Sequence, residues 1–235
     1  MSRAGFFVTG TDTGIGKTHV SVSLIRLLRT RGLRVVGMKP VASGAERIGE
    51  NWQNEDALAL MAASSLSLPY DWVNPYVFEA PLSPHLSAAR AGQQVELSYL
   101  ITAYQRLAAF ADCLIVEGAG GWRVPLNPAE DIADLALRLE LPVILVVGMR
   151  LGCINHACLT QAAMQAKGVR NAGWVANHLE SDLACREEVL ATLSDKLGEP
   201  PLGELEFVDD FSHGESTRNN VWRVGEILRR LGSLG

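Results

Sequence analysis

The sequence lacks the features of membrane, secreted and nucleic-acid-binding proteins. No run approaches the roughly eighteen apolar residues that a membrane helix needs. The first residues lack the apolar region and cleavage site of a signal peptide, so we expect a cytoplasmic protein. A net charge of −5 over 235 residues gives no electrostatic reason for binding nucleic acid or an anionic membrane.

Cysteine is scarce as well. The four cysteines are Cys113, Cys153, Cys158 and Cys185, too few and too scattered for a disulfide framework. Cys153, His156 and Cys158 lie close in sequence, but no second pair of ligands follows at a suitable spacing. We therefore expect free thiols rather than a metal–thiolate site.

What is present is ample apolar material in a regular order. Hydrophobic residues make up 48% of the chain, and nothing resembles a linker, so we expect a single domain over residues 1–235. Apolar runs of strand length alternate with segments of helical periodicity. The predicted strands are 6–8, 34–41, 113–116, 143–147 and 172–176. The predicted helices are 20–28, 56–63, 97–110, 154–167 and 182–197.

These strands are continuously apolar, which indicates burial on both faces of a sheet. The pattern predicts an α/β fold with a mostly parallel sheet flanked by helices on both faces. Ligands of such sheets bind at the carboxyl ends of the strands. The Pro- and Ser-rich residues 66–84 are predicted to form a long loop over that site.

A glycine-rich loop links the first strand to the first helix. Residues 10–18 read Gly-Thr-Asp-Thr-Gly-Ile-Gly-Lys-Thr, in which Thr11 takes the first glycine position of the strict phosphate-loop pattern. Loop amides and a helix N-terminus bind phosphate, Lys17 adds positive charge, and the Thr18 hydroxyl is a magnesium ligand type. A plain helix-capping turn is the alternative. The strand–loop–helix context favours a P-loop NTPase-like fold.

Three more side chains are predicted at the same sheet edge. Glu117 ends a strand before a glycine-rich turn and could hold magnesium opposite Thr18. Lys39 ends another strand just before Pro40. Asp56 begins a helix. Taken singly, each has an ordinary alternative: a strand-end acid, a solvated lysine and a first-turn helix acid.

With these pieces in order, the chain resembles dethiobiotin synthetases over most of its length. The segments 39–44 and 117–121 are more specific than the phosphate loop. The matching segments are 8–13 with 16–18, 39–44, Asn54 with 56–58, Pro81 with 83–85, 116–121, 151–156 and 173–177.

The resemblance implies that ATP, Mg²⁺, carbon dioxide and 7,8-diaminononanoate are the inputs. An amine of the diamine becomes a carbamate, the carbamate attacks the γ-phosphate, and the second amine then closes the ureido ring. The implied catalytic residues are Lys39, Lys17 and Thr13. The implied metal ligands are Thr18, Asp56 and Glu117. The implied nucleotide contacts are Gly14, Ile15, Gly16, Lys17, Thr18, His19, Asp56, Glu117, Gly118, Ala119, Gly120, Asn177 and His178.

The resemblance also implies a homodimer with a shared substrate site. The neighbouring subunit would hold the diamine's carboxylate at a helix N-terminus, a favourable place for an anion. The implied substrate contacts are Ser43, Gly152, Cys153, Ile154 and Asn155.

The chain departs from the family pattern near the nucleotide base. His178 stands where the family usually has Asp, and Glu206-Phe207 where it often has Pro-Trp. Gly14 stands where an acid is frequent. These departures concern the base contacts rather than the phosphoryl chemistry.

Rival functions fit less well. Amidoligases such as cobyrinic acid diamide synthase usually carry a glutaminase domain, for which the chain has no room. Partitioning or metal-insertion ATPases typically have a second lysine in the phosphate loop, where residues 11–13 are Thr-Asp-Thr. A GTP switch would need Asn-Lys-x-Asp, which residues 175–178 do not supply. A phosphate-binding module without catalysis is the remaining alternative.

Overall fold

The computed structural model describes residues 4–207 and 220–232. The strands are β1 (Gly5–Gly10), β2 (Val35–Met38), β3 (Val41–Ser43), β4 (Glu46–Ile48), β5 (Asn51–Gln53), β6 (Tyr76–Phe78), β7 (Cys113–Glu117), β8 (Val143–Met149), β9 (Asn171–His178), β10 (Gly203–Leu205) and β11 (Val221–Trp222). The helices are α1 (Lys17–Arg29), α2 (Glu55–Ala63), α3 (Tyr70–Val73), α4 (Pro84–Arg90), α5 (Leu97–Ala108), α6 (Ile132–Leu139), α7 (Cys153–Lys167), α8 (Arg186–Leu197) and α9 (Val224–Gly232).

Seven strands form the main sheet in the order β11-β10-β9-β8-β1-β7-β2. All neighbouring pairs are parallel except β10 with β11, which is antiparallel. Strand β1 lies near the centre, so the phosphate loop that follows it opens at the middle of the carboxyl edge. The prediction of a mostly parallel sheet is confirmed.

Helices cover both faces of this sheet, as the continuous apolar runs predicted. Consecutive side chains of β1 point to opposite faces of the sheet, because side chains alternate along a strand. Phe7 packs in a core with residues of α5, α6 and α7, whereas Phe6 packs in a second core with residues of α1, α2 and α9. Both phenylalanines are completely buried.

Two predictions about the segments beside the site were wrong. The predicted strand 34–41 is two strands in different sheets, β2 and β3, separated at Lys39 and Pro40. Residues 66–84 are not one long loop, because they contain α3 and β6, and β6 pairs in parallel with β3. Three- and four-residue elements are too short to show a periodicity, which explains both errors.

Other boundaries shift by a few residues. Helix α8 begins at Arg186 rather than 182, and β7 extends through Glu117. Besides α3 and β6, the elements that the sequence did not predict are β4, β5, α4, α6, β10, β11 and α9. Among the described residues no helix has the length and apolarity needed to cross a membrane. The four cysteines are free thiols.

Candidate active site at the carboxyl edge of the sheet

The phosphate loop curls back over the end of β1. Gly14 and Gly16 adopt positive φ angles of 72° and 79°, a backbone region that favours glycine. A Cβ on Gly16 would lie 2.2 Å from Nδ2 of Asn177, so a larger residue has no room there. The Asn177 Nδ2 group also donates a hydrogen bond to the carbonyl of Ile15 at 2.9 Å. The end of β9 is thereby fixed against the loop.

Lys17, the first residue of α1, turns its ammonium back toward the loop. Its Nζ donates to the backbone carbonyl of Asp12 at 3.0 Å, and the side chain is largely buried. Burial, followed by the positive charge of Lys39, lowers the Lys17 pKa to about 8 against the opposing pull of nearby carboxylates. A lysine cation is thus held at the mouth of the loop with few of its own hydrogen bonds satisfied.

Beside Lys17 lies a charged cluster formed by Lys39, Asp56, Glu117 and Thr18. The Lys39 ammonium lies 2.7 Å from Oδ2 of Asp56 and 2.6 Å from Oε1 of Glu117. The Thr18 hydroxyl oxygen lies 2.6 Å from Asp56 Oδ1 and 2.9 Å from Glu117 Oε1, one of which accepts its hydrogen. Four polar groups from different elements therefore meet within hydrogen-bonding distance.

The charges within the cluster stabilise one another. Burial would lower the pKa of Lys39, but the charges of Glu117 and Asp56 raise it above its usual range. Burial would likewise raise the pKa of Asp56, but the charge and hydrogen bond of Lys39 hold it below its usual range. Oε2 of Glu117 is buried and has no hydrogen-bond partner among the described residues. This carboxylate oxygen is therefore left without a hydrogen-bond donor, and a bound cation could take the place of that donor.

Hydrogen bonds with Asn54, Val73 and Asn74 position two members of the cluster. Asn54 caps α2 by accepting from the backbone amides of Asp56 and Ala57, which places Asp56 in the first turn. The backbone of Lys39 donates to Val73 and accepts from the Asn74 side chain. The segment that we predicted to be a loop is thus the support for Lys39.

The cluster lies in a cleft of about 770 Å³ along the sheet edge. Most of the predicted site residues line the cleft. Two of the predicted nucleotide contacts, Ile15 and Gly118, do not line it. The Ile15 side chain is in the core. The predicted residues that line the cleft are Thr13, Gly14, Gly16, Lys17, Thr18, His19, Lys39, Ser43, Asp56, Glu117, Ala119, Gly120, Asn177 and His178.

The two ends of the cleft differ in character. Near Lys39 the walls include Ser43, whose buried hydroxyl has no hydrogen-bond partner among the described residues. Beyond the phosphate loop the walls are Asn177, His178, Leu179 and Phe207. His19, on the loop side of Asn177, has a pKa lowered mainly by burial.

Some lining residues were not predicted as site residues. The matching segments had included Pro81 and Ser83, and Phe207 stands in the segment near the base where the chain departs from the family pattern, whereas Leu179 had no motif to mark it. The unpredicted lining residues are Val41, Ala42, Asn54, Glu55, Pro81, Leu82, Ser83, Pro84, Val124, Leu179 and Phe207.

Residues 152–155 lie outside this cleft. Gly152 has a φ of 93° and precedes α7, while Leu151 beside it is 98% exposed and Asn155 is exposed. A salt bridge joins the preceding Arg150 to Asp12 of the phosphate loop at 2.8 Å. Within one chain, the predicted carboxylate-binding turn therefore does not reach the cleft that holds Ser43, the other predicted substrate contact.

A phosphate loop after a central strand, with a lysine and two acids at the same sheet edge, defines a P-loop nucleotide-binding protein. A family model described as an AAA domain matches residues 4–214. The solved structure of MinD from Aquifex aeolicus aligns with a TM-score of 0.57 at 12% identity, covering 98% of this chain and 97% of that one. A ParA family ATPase from Chlorobium tepidum TLS aligns with a TM-score of 0.56 at 11% identity, covering 99% and 92%. These likenesses show the fold.

Sequence relatives show the family. ATP-dependent dethiobiotin synthetase BioD of Xylella fastidiosa (strain 9a5c) is 52% identical over 205 residues, covering 87% of this chain and 91% of the relative. The protein of that name from Xanthomonas oryzae pv. oryzae (strain PXO99A) is 49% identical over 210 residues, covering 89% and 94%. The chain belongs to the dethiobiotin synthetase family and is an enzyme of the ligase class.

Proposed function

We propose that this chain closes the ureido ring of dethiobiotin from 7,8-diaminononanoate, carbon dioxide and ATP, releasing ADP and phosphate. The observation that carries the proposal is the meeting of Lys39, Asp56, Glu117 and Thr18 beside a phosphate loop. Family membership supports the choice of substrates. We also propose that residues 1–235 act as one catalytic domain, and a cytoplasmic location stays a prediction.

The cluster fits a magnesium ion by its donor chemistry. Thr18, Asp56 and Glu117 offer hard oxygen ligands, and one buried Glu117 oxygen has no hydrogen-bond partner within residues 4–207 and 220–232. We propose these three residues as the magnesium site. When bound, magnesium neutralises negative charge on the β- and γ-phosphate oxygens of the nucleotide.

In the proposed reaction, one amine of the diamine first adds to carbon dioxide and loses a proton to solvent, which gives a carbamate, and two further steps follow. A carbamate oxygen attacks the γ-phosphorus while the bond from that phosphorus to ADP breaks, which forms a carbamic–phosphoric anhydride. The second amine then attacks the anhydride carbon, the bond to phosphate breaks, and the amine loses a proton. Both steps concentrate negative charge on oxygens. Lys17 and Lys39 stabilise this charge, without covalent chemistry, because they are preorganised cations in a partly buried site.

Hydroxyl groups support the positioning of the carbamate. Thr13 lies on the phosphate loop, and a Cβ on Gly120 would lie 3.3 Å from its Oγ1. The Ser43 hydroxyl is buried at the cleft wall with no hydrogen-bond partner in the described part of the chain. We propose that Thr13 and Ser43 donate hydrogen bonds to the carbamate or receive them from the diamine.

We propose a homodimer in which residues 152–155 of one subunit bind the carboxylate of a diamine in the other. Their position outside their own chain's cleft supports a role across an interface. The exposed Leu151 and the exposed Leu159 of α7 supply apolar surface for that interface.

The direct test measures ADP release with and without 7,8-diaminononanoate and bicarbonate. We expect turnover to depend on both, because the phosphoryl acceptor forms from the two together. Full-rate ATP hydrolysis without bicarbonate would contradict the synthetase function and favour an ATPase switch.

A further inference from the structure

Ring closure releases a proton, and the charged groups beside the phosphate loop are poorly suited to accept it. The second amine loses this proton when it bonds to the anhydride carbon. Lys17 and Lys39 act as cations, and an ammonium group has no lone pair for a proton. Asp56 and Glu117 already accept hydrogen bonds from Lys39, and as magnesium ligands they are needed in the ionised form. The proton therefore needs an acceptor elsewhere along the cleft.

A serine and a histidine at the cleft wall form a hydrogen-bonded pair. Ser83 lines the cleft, and its Oγ lies 3.1 Å from Nδ1 of His85. Ser83 precedes α4, but within residues 83–90 its hydroxyl makes no capping hydrogen bond. The hydroxyl is thus left for the imidazole and for a molecule in the cleft. His85 is half-buried rather than enclosed, so solvent reaches the residue.

Backbone contacts hold this pair beside the proposed carbamate site. Gly44, which follows Ser43, donates from its amide to the carbonyl of Ala80 at 3.2 Å. A Cβ on Gly44 would lie 3.2 Å from Cβ of Pro81, so the two chain segments are in close contact. The hydroxyl of Ser87 on α4 also donates to the carbonyl of Ala80, at 2.9 Å. The turn that carries the pair is therefore fixed against the end of β3, where Ser43 lies.

We propose that His85 accepts, through the Ser83 hydroxyl, the proton that the second amine loses during ring closure. This inference rests on the proposed reaction. As the amine nitrogen bonds to the anhydride carbon and phosphate leaves, the amine proton passes to Oγ of Ser83. In the same transfer the hydroxyl proton of Ser83 passes to Nδ1 of His85. The imidazolium then loses a proton to solvent, which restores the neutral ring.

The chemistry of the pair suits this transfer. Nδ1 of His85 accepts from the Ser83 hydroxyl when the neutral ring carries its hydrogen on Nε2, and such a ring can take up a second proton. The serine oxygen receives one proton as it gives up another, so it carries no full charge at any stage. Proton transfer to a positioned side chain typically contributes about 10²–10⁴ in rate.

Other titratable groups of the cleft fit the role less well. His19 and His178 lie beside Asn177 at the end of β9, whereas β3 follows β2 on the opposite side of β1. Glu55 is an exposed acid on the cleft wall. A carboxylate is a much weaker base than an imidazole, which exchanges protons near neutral pH. These differences favour His85.

Single-turnover kinetics separates this proton transfer from phosphoryl transfer. Protein in excess over the diamine is mixed with ATP, Mg²⁺ and bicarbonate, and quenched samples are analysed for ADP and dethiobiotin. ADP forms before the ring closes, so a defect confined to the second step makes dethiobiotin lag behind ADP. His85→Asn keeps a hydrogen-bonding group near the place of Nδ1 but cannot take up the proton. We expect ADP to form at about the normal rate and dethiobiotin about 10²-fold more slowly.

Ser83→Ala removes the hydroxyl that connects the amine with the imidazole and should produce the same lag. Ser98→Ala, at an exposed position on α5, is the matched control, and Glu55→Gln tests the neighbouring acid. We expect no lag in either. Thermal unfolding shows whether each variant folds like the unchanged protein.

Equal slowing of ADP and dethiobiotin in His85→Asn would show that the histidine only positions the wall, and would overturn the proposal. Normal formation of both products would overturn it as well. A lag in Glu55→Gln with none in His85→Asn would assign the proton to that acid instead. ADP formation that does not depend on diamine and bicarbonate contradicts the proposed reaction itself, so the two failures are recognised separately.

Discussion

The ammonium of Lys39 lies 2.6 Å from Oε1 of Glu117, and the two side chains are 5% and 0% exposed. A buried ion pair is costly to break from one side, because the remaining charge keeps its desolvation penalty without its partner. Lys39, which follows β2, and Glu117, which ends β7, are thus bound to each other in the protein without nucleotide.

Lys39→Gln should reduce turnover by about 10²–10³, because such groups act mainly on charge that develops during transfer. ATP binding should change much less, since the loop amides and Lys17 still contact the phosphates. Steady-state kinetics and calorimetric ATP binding check this split. Lys196→Gln, at an exposed position on α8, is the matched control. Near-normal turnover in a folded Lys39→Gln protein would show that Lys39 has no role in the chemistry.

Thr18→Val should raise the magnesium concentration needed for half-maximal activity, because the change removes one oxygen ligand and keeps the shape of the side chain. A magnesium titration at saturating ATP measures this. Thr192→Val, an exposed hydroxyl that donates to its own helix, controls for the substitution itself. An unchanged titration would remove Thr18 from the metal site.

At pH values near and above about 8, the pKa of Lys17 in the ligand-free protein, ATP binding should be accompanied by uptake of a proton. Below that pH the lysine is charged whether or not ATP is bound. Above it, the free protein loses the proton, while the phosphates favour the charged form in the complex. ATP affinity should therefore fall as the pH rises through 8.

Calorimetry at pH 8.5 in buffers of different ionisation enthalpy would count the protons taken up. Lys17→Met keeps the apolar stem and should abolish the part of the uptake that is centred near pH 8. The same uptake in that variant would assign it to another group.

Asn155→Asp should raise the diamine KM and leave ATP binding largely intact, because a negative charge weakens carboxylate binding at a helix N-terminus. Mixing this variant with Lys17→Ala, which lacks a working phosphate loop, should restore activity. One of the two sites in each mixed dimer then has an intact loop and an intact turn. Analytical ultracentrifugation would establish that dimers form. Mixed dimers that stay inactive would contradict a shared site.

The sequence could predict the residues that follow parallel strands. Glu117 and Lys39 were placed correctly at one edge because the carboxyl ends of neighbouring parallel strands must share it. Glu117 is the last residue of β7, and Lys39 follows Met38, the last residue of β2. Because β7 and β2 pair directly, the side chains of Glu117 and Lys39 meet. A long buried strand can be recognised from its own apolar residues, so the position of the residue that follows it at the sheet edge can be predicted.

The sequence could not predict contacts made by short elements and crossing loops. The role of Val73 and Asn74 in holding Lys39 depends on a four-residue helix inside a Pro- and Ser-rich segment. Phe207 lies two residues beyond β10, a strand of three residues that pairs with β9. Such placements follow from tertiary packing and leave no periodicity in the sequence.

The charges around the phosphate loop have a consequence for the order of binding. Lys17 and Lys39 supply two ammonium groups, and Asp56 and Glu117 supply two carboxylates. The positive and negative charges of the ligand-free site therefore balance. A lone magnesium ion that binds Oδ2 of Asp56 and Oε1 of Glu117 must displace the Lys39 ammonium, which then loses both of its carboxylate partners. A metal that arrives already coordinated to a triphosphate supplies new anionic partners for both lysines in the same event. We therefore expect the site to bind the metal–nucleotide complex in preference to either component alone.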